Sequence, residues 1–183
     1  MQNHDSQPNI PRLAQQVASY CQTHALTIAT AESCTGGLLA KVLTDLPGAS
    51  NTFECGWVTY SNQAKANLLH IPAERIAEQG AVSEAIVQAM ATQALRLANT
   101  HIGIATSGIA GPDGGTADKP VGTVWIAVAF RATNKNSETK HKTESKTECK
   151  TECLYLNGDR DSIRTQTVAI CLQRLLTWAT DYF

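Results

Sequence analysis

Three short runs of this 183-residue chain place hydroxyl, amine and glycine residues just where an apolar stretch gives way to a polar one: Glu32–Gly37 (ESCTGG), Tyr60–Lys65 (YSNQAK) and Ser107–Gly115 (SGIAGPDGG). In the first, Ser33 occupies a strand-to-helix turn. Beside it lie the backbone N–H groups of Thr35, Gly36 and Gly37. Those donors, with the positive end of a helix dipole, suit an oxyanion or a phosphate. Gly36 and Gly37 also let a substrate come close to the backbone. The same residues equally suit a capping serine followed by glycines for helix packing. The pattern is not Gly-x-Ser-x-Gly, so it is not the nucleophile elbow of α/β-hydrolases. Cys34 is a second candidate nucleophile, since a helix end favours a thiolate. Neighbours in a turn point in different directions, so only one of Ser33 and Cys34 faces a substrate.

A nucleophilic serine needs a base. Of the five histidines, His24 and His70 end predicted helices, His101 starts a strand, and His4 and His141 lie in polar segments. None takes the loop position that a Ser-His-Asp triad uses. Lys65 falls in the first turns of a helix, where the dipole disfavours a cation; burial there lowers an amine pKa toward neutrality. A neutral lysine takes a serine proton and returns it to a leaving ammonia, with Tyr60 as a proton relay. Read separately, Lys65 also fits a solvated helix lysine and Tyr60 a half-buried strand residue. The third run holds Ser107, Gly108, Gly111, Gly114 and Gly115 with Asp113. It lacks both the P-loop and the Rossmann spacing, yet a loop this long suits wrapping a phosphate or ribose. Arg164 offers a phosphate fork or a salt bridge with Asp161. Cys149 and Cys153 with His141 have no second ligand pair at zinc-site spacing, so no metal and no cofactor is expected.

The elements that must position these groups alternate. A first helix runs from Ile10 with Pro11 in its first turn. Strands are expected at 26–32, 54–60, 101–107, 121–130 and 153–156. Helices are expected at 35–45, after a Ser61 or Asn62 cap, after Ser83, and from Asp159 onward. This alternation predicts a three-layer α/β/α domain over residues 1–183. Its five-stranded sheet is mixed and mostly parallel, with the last two strands an antiparallel hairpin. The first ten residues read as a loose tail. Residues 132–151, with KTES, KTEC and KTEC in tandem, read as a low-complexity insertion at the hairpin tip.

The hydrophobic share is 43% with only 5% aromatic residues, which favours α/β over a β-sandwich, and the net charge of −1 carries no field for nucleic acid or membrane. The sequence shows no signal peptide and no apolar run long enough to span a bilayer. Its six scattered cysteines read as reduced thiols of a cytoplasmic protein.

Five ordered motifs together resemble the CinA C-terminal domain family: AESCTGG (31–37), VTYSNQAK (58–65), GAVSE (80–84), SGIAGPDGGT (107–116) and KPVGTV (119–124). The run GDRDSIR (158–164) fits it too. The resemblance implies hydrolysis of nicotinamide mononucleotide to nicotinate mononucleotide and ammonia, within pyridine nucleotide recycling. It implies Ser33 as nucleophile, Lys65 and Tyr60 as base and relay, a similar fold (the anticodon-binding-domain-like, CinA-like arrangement) and a homodimer. The partner is then a small nucleotide, held by Thr35–Gly37, the glycine loop or Arg164. Many relatives carry a further N-terminal domain related to molybdopterin-binding proteins, and no activity of that domain is expected of this sequence. A non-enzymatic nucleotide-binding module on the same fold is the alternative reading.

Overall fold

The structure, a computed structural model, describes residues 9–131 and 147–183. Five strands, β1 (Ile28–Glu32), β2 (Phe53–Val58), β3 (Ile102–Gly108), β4 (Thr123–Arg131) and β5 (Thr147–Tyr155), form one sheet in the order β2-β1-β3-β4-β5. β2, β1 and β3 pair in parallel; β4 is antiparallel to β3, and β5 to β4. Four strands therefore share one direction and β4 opposes them. Helices α1 (Ile10–Thr23), α2 (Leu38–Thr44) and α6 (Arg160–Tyr182) supply core side chains on one face. Helices α3 (Asn62–Leu69), α4 (Ala73–Gln79) and α5 (Glu84–Leu97) supply those on the other.

The two faces differ because side chains alternate along a strand. Ile28, Ile102, Ile104, Val124, Ile126, Val128 and Phe130 point toward α1, α2 and α6 and build the larger core. Their neighbours Ala29, Ala31, Ala105, Ala127 and Ala129 point the other way. That small-residue face lets α5 lie close to the sheet. At Gly103 a Cβ would stand 2.1 Å from the Ala91 carbonyl oxygen, so only glycine admits the helix at this distance.

Three expectations need correction. The helix expected from Thr35 starts at Leu38, because Gly36 and Gly37 have φ of +60° and +93°, outside the right-handed helical region. A helix over Ala73–Gln79 was not anticipated; Pro72 caps it and Ile76 is buried. The strand expected at 153–156 extends back to Thr147, so residues 147–151 of the expected insertion are paired with β4. Ladder bonding outweighs polar composition there, and the strand's two faces are used differently. Lys150 and Glu152 form ion pairs with Asp181 and Arg174 of α6. Cys149 packs with the α5 core, and Thr151 Oγ1 donates to Glu84. The rest of that expected insertion, 132–146, and the expected tail up to residue 8 lie outside the described residues.

Candidate active site

The carboxyl ends of three parallel strands bring the sequence runs together. Glu32 pairs with Val58 on one side and Thr106 on the other. Pairing continues past the strand ends: Ser33 N–H donates to the Thr106 carbonyl at 3.0 Å, and Thr59 N–H to the Glu32 carbonyl at 2.8 Å. Ser33, Thr59 and Ser107 thus reach the same edge of the sheet. α3 starts at once after β2, capped by Ser61, whose Oγ accepts the Ala64 N–H at 3.0 Å. That early start returns Lys65 beneath Ser33.

Lys65 is 1% exposed. Its Nζ lies 3.0 Å from Ser33 Oγ and donates to the Thr59 carbonyl at 2.8 Å. No carboxylate lies within 4 Å of it among the described residues. Burial pushes its pKa down, with a smaller opposing influence from Cys34. A neutral amine with one N–H on a carbonyl keeps a lone pair for the Ser33 proton. The Cys34 thiol is 5% exposed, and burial pushes its pKa up to about 11. Cys34 lines the same pocket as Ser33, against the expectation that only one of them does, but it is a protonated thiol near neutral pH, and the serine beside the amine is the better-placed nucleophile.

Ser33, Lys65, Tyr60, Val82, Ser107 and Arg160 help to line a pocket of about 210 Å³. Small-molecule sites usually enclose roughly 300–1,000 Å³. This pocket is smaller than that range, with room for part of a nucleotide-sized ligand. A larger hollow of about 250 Å³ between His70, Arg75 and Arg96 contains neither Ser33 nor Lys65.

The start of α2 is not free for a ligand. The Glu32 carboxylate, 1% exposed, accepts from the N–H groups of Gly37 (3.0 Å), Leu39 (3.1 Å) and Ala40 (2.8 Å), and from Thr35 Oγ1 at 2.6 Å. Thr35 Oγ1 also bonds Thr106 Oγ1 at 2.8 Å, while Gly36 N–H donates to the Ser33 carbonyl. The expectation that Thr35, Gly36 and Gly37 offer open donors to a phosphate is thus narrowed: an internal carboxylate takes the Gly37 N–H and the Thr35 hydroxyl, and the Ser33 carbonyl takes the Gly36 N–H. Arg164 is likewise committed, donating from Nε and Nη2 to the Thr35 carbonyl at 3.3 and 2.9 Å. It makes no salt bridge with Asp161.

The arginine at the pocket is Arg160, one turn earlier. It donates to the Gly111 carbonyl at 2.7 Å and to the Tyr60 hydroxyl at 2.6 Å. Tyr60, 59% exposed, stands at the mouth with its oxygen held by Arg160. Of the glycine loop, Gly108 lines the pocket, as does Ser107, whose hydroxyl donates to the Ala81 carbonyl at 2.7 Å. Gly111 and Gly115 pack on Val121, which leaves no room for a Cβ, and Asp113, Gly114 and Gly115 are exposed without lining the pocket. Sequence reading missed the capping role of Glu32 and the pocket place of Arg160. A buried acid just ahead of a glycine-started helix, and an arginine directly after the Asp159 cap, were the available signals.

A three-layer α/β protein with a serine–lysine pair at the carboxyl ends of parallel strands is the class this fold and pocket define. The chain belongs to the CinA C-terminal domain family, which matches residues 11–178. It is 44% identical over 164 residues to the nicotinamide-nucleotide amidohydrolase PncC of Escherichia coli K12, covering 90% of this chain and 91% of that one. It is 45% identical to a CinA-like protein of Geobacter sulfurreducens over 88% of this chain, which spans only 36% of that longer relative. The crystal structure of competence damage-inducible protein A from Klebsiella pneumoniae superposes with a TM-score of 0.83 at 35% identity, covering 96% of this chain and 99% of that one.

Proposed function

We propose that this protein is a nicotinamide-nucleotide amidohydrolase with Ser33 as nucleophile and Lys65 as base. The carrying observation is the desolvated Lys65 amine 3.0 Å from Ser33 Oγ, without a carboxylate partner among the described residues. The likeness to the E. coli amidohydrolase supplies the substrate. Ser33 Oγ attacks the carboxamide carbon of nicotinamide mononucleotide while Lys65 takes the hydroxyl proton. A backbone N–H of the turn that follows the nucleophile would meet the developing oxyanion. Collapse breaks the C–N bond, and Lys65 passes its proton to the departing ammonia. Water, deprotonated by Lys65, then cleaves the ester, which releases nicotinate mononucleotide and restores Ser33.

Arg160 and Tyr60 take the substrate's outer part. A guanidinium at the mouth suits the phosphate, and the Arg160 bond gives Tyr60 a binding role in preference to a relay. The chain works in the cytoplasm, which suits its six free cysteines. No described helix is long and apolar enough to cross a membrane. It forms a homodimer, for which exposed Val58 (49%) and Leu68 (47%) offer apolar surface.

Ammonia release from nicotinamide mononucleotide tests the reading. Wild type and Cys34→Ala should be active, whereas Ser33→Ala and Lys65→Ala should lose about 10²–10⁴-fold or more in kcat. Arg160→Met should raise KM more than it lowers kcat. An inactive wild type would favour the nucleotide-binding module, and loss with Cys34→Ala alone would overturn the serine mechanism.

A further inference from the structure

Two sequence motifs, Gly80–Glu84 and Lys119–Val124, take no part in the Ser33–Lys65 chemistry, yet they meet at the pocket. The segment Gly80–Ser83 joins α4 to α5, and its Ala81 and Val82 are pocket wall. Neither residue belongs to a helix or strand. Their carbonyls are held by side chains from the two ends of the glycine loop, Ser107 at the end of β3 and Lys119 beyond the last glycine. Ser107 Oγ donates to the Ala81 carbonyl at 2.7 Å, and Lys119 Nζ donates to the Val82 carbonyl at 2.8 Å. Ser83 Oγ closes the turn on the Gly80 carbonyl at 2.8 Å.

Lys119 is built for this contact. Its own backbone is set by a turn in which Lys119 N–H donates to Thr116 Oγ1 at 3.1 Å and Thr116 N–H to the Lys119 carbonyl at 2.9 Å. Its ammonium passes over Gly80, 3.6 Å from where a Cβ would stand. No carboxylate lies within 4 Å of it among the described residues. The charge is therefore directed at a main-chain carbonyl, and charge-assisted bonds of this kind are roughly twice as strong as neutral ones.

We infer that Lys119 is a positioning residue for substrate binding, which holds the Ala81–Val82 wall of the pocket through the Val82 carbonyl. In a space of about 210 Å³ a small outward shift of Val82 loosens the fit around the ring that carries the amide. The inference rests on the amidohydrolase reading for the identity of that ring.

The test compares Lys119→Met, Lys119→Gln and Lys119→Arg with wild type. It reads kcat and KM for nicotinamide mononucleotide, the inhibition constant of its phosphate-free riboside, and hydrogen exchange of amides 81–86. With Met or Gln, KM and the riboside constant should both rise about tenfold, with kcat changed less than about threefold. Amides 81–86 should exchange faster, and Arg should recover most of each loss. An unchanged KM overturns the inference whatever the exchange shows. A rise confined to the mononucleotide also overturns it, because Lys119 would then be a phosphate contact. If wild type released no ammonia the amidohydrolase reading would fall, and exchange alone would still decide whether Lys119 holds the wall.

Discussion

A lysine that is almost fully buried and faces only a serine hydroxyl and a carbonyl is costly to keep charged. Lys65 is in that position, and the direction of its pKa follows from burial rather than from a helix dipole alone. On the proposed mechanism the sign is direct: the neutral amine is the base, so kcat/KM should rise with pH through the pKa of Lys65. That acid limb should lie below the ordinary lysine value of about 10.4, with rate falling tenfold for each pH unit below it. Lys65→Arg tests the same point by putting a permanent cation in place of the neutral amine. A guanidinium stays protonated and cannot take the serine proton, so kcat should drop about 10²–10⁴-fold. An Arg variant with wild-type kcat would show that charge, not proton transfer, is what the site needs.

Among the elements, α2 is the one whose start decides the geometry of Ser33, the proposed nucleophile. Seven residues give it little intrinsic stability, and its N-cap Gly37 has no side chain to offer. Glu32 supplies the missing acceptors from the end of β1, taking three backbone N–H groups and the Thr35 hydroxyl. Ser33 follows directly, so the bonds that cap the helix also hold the turn bearing the nucleophile. Glu32→Gln keeps the shape but replaces one acceptor oxygen with an amide that faces N–H donors. It should lower unfolding free energy by about 2–4 kcal/mol, measured by urea denaturation, and should lower kcat by misplacing Ser33. A variant of unchanged stability would mean that water or Thr106 can serve the same donors.

Across the molecule, the site depends on the sheet being thin on the α5 side. Alanines at 29, 31, 105, 127 and 129 and glycine at 103 let α5 approach, and α5 in turn anchors the 80–83 wall. Gly103→Ala adds a methyl group 2.1 Å from the Ala91 carbonyl and 2.8 Å from Leu95 Cβ, so α5 must move as a body. Overpacking of this kind should cost about 3 kcal/mol, seen as a lower urea midpoint. Because α5 carries the wall with it, KM should rise in the same variant. Destabilisation without a change in KM would show that the wall is independent of the helix.

The strand and helix order of this protein, its three-layer class and its three chemical junctions were legible in the chain, because alternation, caps and breakers act over a few residues. Ser83 and Asp159 cap helices as their positions suggest, and β1 ends at Glu32 as its apolar run predicts. Partnership across the fold was not legible. The Thr35–Gly37 donors looked open to a phosphate because the acid just ahead of them reads as the end of a strand and not as the cap of the helix. Arg160 and Arg164 are indistinguishable by type; only the packing of α6 sends one to the pocket and the other to the Thr35 carbonyl. The polar KTEC run became strand because β4 offered it a ladder. Local sequence thus determined which groups were available for chemistry. Only the tertiary structure decided which of them meet, since contacts such as Ser33 with Lys65, 32 positions apart, and Thr35 with Arg164, 129 apart, depend on how the layers pack.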